Sequence, residues 1–160
     1  MSLRIVAATL GHAHLVATNM RETDRQEIIA GWGKQPKEAI IECINSSPTH
    51  ANTVFYGLEV LAMYGLADQR ILGGAAEIWC FGTTAIDRHR IAFARVSKRV
   101  VWGLLSQCPM LTNLVDIGDA RALKWLEFLG ATYVLEPREL GGKLFQQFIL
   151  AGEQKPCRQG

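Results

Sequence analysis

Asn113-Leu-Val-Asp-Ile-Gly-Asp-Ala-Arg-Ala-Leu-Lys-Trp-Leu-Glu-Phe-Leu-Gly-Ala131 is the stretch that decides the fold of this chain. Leu114 to Ile117 reads as a short buried strand. Gly118 permits a tight break, and the Asp119 carboxylate is suited to cap a helix by accepting a backbone N–H of its first turn. An amphipathic helix follows, and Gly130 stops it. The chain then runs into a further extended segment, Ala131-Thr-Tyr-Val-Leu135.

The rest of the sequence sets bounds on this unit. A chain of 160 residues suits one domain, expected over residues 1–150, with a polar tail at 151–160. Hydrophobic residues at 49% against 20% charged exclude wholesale disorder. The net charge of +2 is too small to argue for nucleic acid or an anionic membrane as partner. Cys43, Cys80, Cys108 and Cys157 lie far apart with no C-x-x-C pair, which argues against a zinc site or a disulfide framework and for reduced thiols. The N-terminal apolar run is too short for a secretory signal, and no run approaches the roughly 20 residues of a membrane span.

Working outward along the chain, Leu3–Ala8 is expected as a first strand and Gly11 to about Ile29 as one helix, ended by the glycines around Trp32. Pro36 opens a second helix to about Ile44, and Asn45–His50 is turn-rich. Val54–Leu66 suggests two strands joined near Gly57-Leu-Glu59, and Ala67–Gly74 a loop. Ala75–Gly82 is apolar enough for a central strand. Thr84-Ala-Ile-Asp87 has capping-box spacing and predicts a long helix to about Ser106, with Val96, Val100 and Leu104 on its core face. Lys143–Leu150 is a last strand, with one more expected near Tyr133. Basic residues cluster at Arg88, His89, Arg90, Arg95, Lys98 and Arg99, as a solvated helix face or as a contact surface for nucleic acid or an acidic protein partner.

The order of elements and the 113–131 stretch resemble the GNAT acyltransferase fold, whose C-terminal helix carries N-x-x-A-x-x-L-Y-x-x-x-G-F. Asp119 stands at the Asn of that pattern, Ala122 at the Ala, Trp125 at the Leu, Gly130 at the Gly and Ala131 at the Phe. Leu126 stands where the family often has a catalytic tyrosine. The resemblance implies an α/β (α+β) architecture: a mixed, mostly antiparallel, twisted sheet flanked by helices. It also implies a motif Q/R-x-x-G-x-G/A between the central strand and the long helix, where small residues let the backbone approach the pyrophosphate of acetyl-CoA. The best register here sets His89, Ala92 and Ala94 against that motif, without a glycine. Arg88, His89 and Arg90 would then bind phosphate by side-chain charge. Glu77 on the central strand is the candidate base, beside Trp79, with Glu59 a second carboxylate. Nothing in the spacing places Tyr64, Tyr133, His12 or His14 at the site, and no Cys-His pair can be assembled.

Further blocks sharpen the resemblance. Met20-Arg-Glu-Thr-Asp-Arg-Gln-Glu-Ile28 with Gly31-Trp-Gly33, Val60-Leu-Ala-Met-Tyr-Gly-Leu66, Ala76-Glu-Ile-Trp79, Phe93-x-Arg95-x-Ser97 and Asn113-Leu-Val-Asp116 resemble the internal virion protein A family of short-tailed phages. That resemblance implies a catalytically degenerate GNAT-like protein that uses no cofactor. It would be a virion or assembly component contacting other phage virion proteins, found in the particle or the host bacterial cytoplasm. Its contact surfaces would be the Arg88–Arg99 face and Trp32, and the crevice for the nucleotide tail would be filled in. The alternative is an active acetyl-CoA-dependent N-acetyltransferase of phage or prophage origin. In that case Glu77 is the base, and Arg88, His89, Arg90, Ala92 and Ala94 hold the cofactor.

Overall fold

A computed structural model of the chain describes residues 2–47, 51–71 and 75–152. β1 (Leu3–Ala7) leads into three helices: α1 (Leu10–Thr18), α2 (Glu22–Trp32) and α3 (Pro36–Ser46). β2 (Asn52–Tyr56), β3 (Glu59–Ile71) and β4 (Ala75–Gly82) form an antiparallel meander. A 3-10 turn (Thr84–Arg88) and α4 (Arg90–Leu105) then cross over to β5 (Met110–Asp116). α5 (Ala120–Leu129), β6 (Thr132–Leu140) and β7 (Lys143–Ala151) complete the described chain. The seven strands form one sheet in the order β1-β2-β3-β4-β5-β7-β6. Every neighbouring pair is antiparallel except β4 and β5. This is the mixed, mostly antiparallel α/β sheet flanked by helices that the GNAT resemblance implied.

Helices cover both faces. α1 and α3 pack on one face, where Val16, Ile40, Met63 and Phe81 share a core with Trp79. The other face carries α4 and α5 over two further clusters, Leu61 with Ile86 and Val96, and Leu111 with Leu126 and Phe148. A strand buries alternate residues on alternate faces, so β4 sends Trp79 and Phe81 to the first core and Ala76 and Ile78 to the second. No helix among the described residues is long and apolar enough to cross a membrane.

The single helix expected over Gly11–Ile29 is two. Asn19 ends α1 by aiming both its main-chain N–H (3.1 Å) and its side-chain amide (2.8 Å) at the Leu15 carbonyl. Met20 is then drawn into an isolated β-bridge with Thr83 beyond the end of β4. A long-range pairing thus breaks a segment whose local pattern is helical throughout. The α-helix expected from Thr84 also starts later. Thr83 caps only a 3-10 turn, accepting from the Ala85 amide at 3.2 Å, and α4 begins at Arg90. β3 extends to Ile71, through half of the expected 67–74 loop. Residues 72–74 and the tail beyond Gly152 lie outside the described residues.

Candidate functional site

β4 and β5 start side by side and then part. Their parallel ladder covers only Ala75–Glu77 against Met110–Thr112. Just beyond it, the Asn113 side chain donates to the Ile78 carbonyl at 2.6 Å, a bridge where the next rung would be. The same side chain accepts from the Leu114 amide at 2.7 Å. The Ile78 carbonyl therefore faces β5, and strand alternation turns the main-chain groups of Cys80 to the same side. Between the diverging strands lies a cleft of about 530 Å³. The crevice is open, which corrects the expectation that it is filled in.

One wall of the cleft comes from α4 and α5. Phe93 stacks on Trp125 with ring centroids 5.5 Å apart. The Trp125 Nε1–H is buried and has no hydrogen-bond partner, and neither has the buried Asp119 Oδ2. Both residues line the cleft, so it presents one unsatisfied donor and one unsatisfied acceptor. Such atoms are costly unless something meets them. The other Asp119 oxygen accepts from the Ala122 amide at 3.1 Å, which is the cap read from the sequence. Leu126, at the tyrosine position, is 3% exposed. Arg90, Arg121 and Lys124 supply positive charge along the cleft. Asp87 offsets part of it by pairing with Arg121 (2.7 Å) and Arg90 (3.9 Å).

The opposite wall is α2. Asp24 and Glu27, one turn apart, come within 4.8 Å of Asp119 by their carboxylate oxygens. Arg21 pairs with Asp24 at 3.0 Å. The Asp116 amide donates to Glu27 at 3.4 Å, and Lys143 holds the Asp116 carboxylate at 3.3 Å. Burial, and next the Asp24 charge, push the Glu27 carboxyl up from 4.5 to about 7. Burial also raises Asp24, against the pull of Arg21. Asp24 and Glu27 line the cleft and also a second cavity of about 130 Å³ behind it, so the two spaces meet at these carboxylates.

The residues picked from the sequence divide. Arg90 and Ala94 line the cleft; Arg88, His89, Ala92 and Glu77 are not among its lining residues. Arg88 and His89 both pair with Glu59 at the start of β3, and His89 lies on Tyr56 with centroids 4.4 Å apart. His89 and Arg88 in turn hold the Glu59 carboxyl below its ordinary value. Glu77 sits on β4 within the closed part of the ladder, opposite Thr112. Asp24, Glu27 and Trp125 were missed as site residues. Their signal was slight: Asp24, Glu27 and Ile28 share one helical face, and Ile28 is the buried residue of α2.

Solved structures share this fold. A spermidine N-acetyltransferase from Vibrio cholerae in complex with CoA and spermine matches with TM-score 0.64 at 14% identity, covering 93% of this chain and 95% of its own. The aminoglycoside acetyltransferase AAC(6')-Ib in complex with coenzyme A matches with TM-score 0.65 at 10% identity, over 94% and 95%. A putative acetyltransferase matches with TM-score 0.68 at 13% identity, over 93% and 82%. No protein-family model matches the chain, and no curated protein matches it. The likeness shows the GNAT acetyltransferase fold. It also overturns the expectation of no cofactor, because both of the named acetyltransferases hold coenzyme A on this scaffold.

Proposed function

We propose that this protein is an N-acyltransferase that takes an acyl group from a coenzyme A thioester and passes it to an amine. One observation carries the reading: the sheet parts at the Asn113–Ile78 bridge, and a carboxyl that titrates near neutrality, Glu27, lies in the gap. Coenzyme A, when bound, supplies an acyl group already activated as a thioester. The residues present suit such a ligand. Cys80 offers main-chain groups toward the gap, and Trp125 Nε1–H is a donor that an amide carbonyl of the coenzyme can satisfy. Arg90, Arg121 and Lys124 would hold phosphate by side-chain charge, in place of a glycine-rich turn. Ala94 keeps that wall low.

Glu27 takes the role of base that Glu77 was expected to fill. It accepts the proton that an ammonium must lose before its nitrogen can bond to the acyl carbon and displace the thiol. Asp24 and Asp119 hold the ammonium beside it. Leu126 has no proton to give, so solvent would take the second proton that the nitrogen loses as the amide forms and would supply one to the leaving thiolate. A place in a phage particle rests on the sequence-block resemblance alone, whereas the open cleft with unpartnered polar atoms favours chemistry.

The test is Glu27→Gln with acetyl-CoA and an amine panel, read by thiol release. Loss of base catalysis lowers kcat by about 10²- to 10⁴-fold, with acetyl-CoA affinity by calorimetry unchanged. An unchanged kcat would refute Glu27 as base. Failure of the parent protein to bind acetyl-CoA would refute the acyl-transfer reading.

A further inference from the structure

The smaller cavity lies between α2, the far end of β4 and the β6–β7 hairpin, and four aromatic rings, Trp32, Trp79, Phe81 and Phe145, line it beside Ile28, Leu114 and Leu140. Trp32 meets Phe81 edge-on at 6.2 Å, and Trp79 lies 5.6 Å from Phe81. Trp79 donates its Nε1–H to Ser47 at 2.9 Å, so its polar end is engaged away from the cavity. Phe145 reaches in beside Gly31, where an added Cβ would come within 3.4 Å of its ring. Trp32 is 39% exposed, which leaves its ring open at the cavity rim. Charge is confined to one end. Asp24 and Glu27 are the only charged residues lining this cavity among the described residues. They lie at its junction with the cleft, where Asp119 Oδ2 is buried without a partner. Arg21, Asp116 and Lys143 complete the charged groups around that junction.

We propose that this cavity is the acceptor subsite and that it takes a primary monoamine carried on a compact aromatic or branched apolar body. Its nitrogen is held by Asp24, Glu27 and Asp119 at the mouth of the cleft. Its body is packed among Trp32, Phe81 and Phe145. An ammonium suits three carboxyl groups, one of them with an unpartnered oxygen, and apolar carbon suits the rings. A second ammonium on the same acceptor would lie among apolar walls with no carboxylate to meet it, so a polyamine is the poorer fit. The proposal takes its chemistry from the acyl-transfer reading, but the binding step stands without it.

Calorimetric titration with phenethylamine, spermidine and putrescine, with no acyl donor present, reads the subsite by itself. Phenethylamine is expected to bind at least about tenfold tighter than either polyamine, and Trp32→Ala to weaken it about tenfold. Tighter binding of spermidine or putrescine, or an unaltered phenethylamine affinity in Trp32→Ala, overturns the proposal. With acetyl-CoA added, Trp32→Ala is expected to raise KM for phenethylamine and leave kcat within about threefold. Phenethylamine that binds as expected yet is never acetylated overturns the acyl-transfer reading and leaves the subsite standing.

Discussion

Glu27 shows how much one side chain owes to its surroundings. In the sequence it sits in the charged run Arg21–Glu27, where a solvated helix face is the natural reading. Folding sets it against Asp24, Asp116 and Asp119 and removes it from water. The folded carboxyl therefore holds its proton up to about pH 7, while the unfolded one loses it near 4.5. Between those values the native state binds more protons, so stability falls as pH rises through the window and stays low above it. The loss is on the order of 3 kcal/mol at most. Glu27→Gln is expected to remove that fall and to exceed the parent by about 1–3 kcal/mol at pH 8, with little difference at pH 4.5. Urea midpoints at the two values check it. Activity runs the other way, since the base works when deprotonated: kcat/KM of the parent rises through about pH 7.

Elements here are shaped by single contacts between them. Asn113 joins β4 to β5 where their ladder ends. Asn113→Ala leaves the Ile78 carbonyl and the Leu114 amide without these partners, at a cost of about 1–3 kcal/mol. Thermal melting should show a drop of roughly 2–4 °C per kcal/mol. The β6–β7 turn closes the acceptor cavity by lying on α2. Gly141 takes a positive φ of 57°, and a Cβ there would meet the Ala30 carbonyl oxygen at 2.3 Å. Gly142 has a φ of 81° but open space around it. Gly141→Ala should therefore cost at least about 2 kcal/mol and Gly142→Ala about 1 kcal/mol, the strain of the left-handed backbone alone. Equal melting temperatures for the two variants would contradict the close approach. The β4–β5 parting itself was not legible in the sequence. Both strands carry apolar runs that read as ordinary sheet, and nothing local says that pairing stops after three residues.

At the scale of the molecule, two helical layers hold a sheet that is open along one seam. A ligand that bridges the seam binds only the folded chain. Acetyl-CoA at a hundredfold excess over its dissociation constant is expected to stabilise the protein by about 2.7 kcal/mol. That corresponds to a rise in melting temperature of roughly 5–10 °C. A scan with and without acetyl-CoA checks it, and no rise at saturating concentration would count against the cleft as its site. A mimic whose pantetheine amides are replaced by methylene groups should raise it less, because Trp125 Nε1–H would stay unmet.

The mixed, mostly antiparallel sheet was implied by the GNAT resemblance, while strands β2 to β5, the Asp119 cap and the Gly130 stop followed from local sequence pattern, with β5 starting at Met110 rather than Leu114. Such features depend on side-chain period, on caps and on glycine at left-handed positions, which are properties of a few neighbouring residues. Whether the crevice was open could not follow from residues 88–94, because a missing glycine motif says only that one kind of phosphate cradle is absent. The three-dimensional arrangement decided that point. It turned Arg88 and His89 toward Glu59, brought α2 across to Asp119, and set Glu27 in the gap. These are contacts between residues up to about ninety positions apart, and their energies depend on burial and distance, which no local pattern encodes.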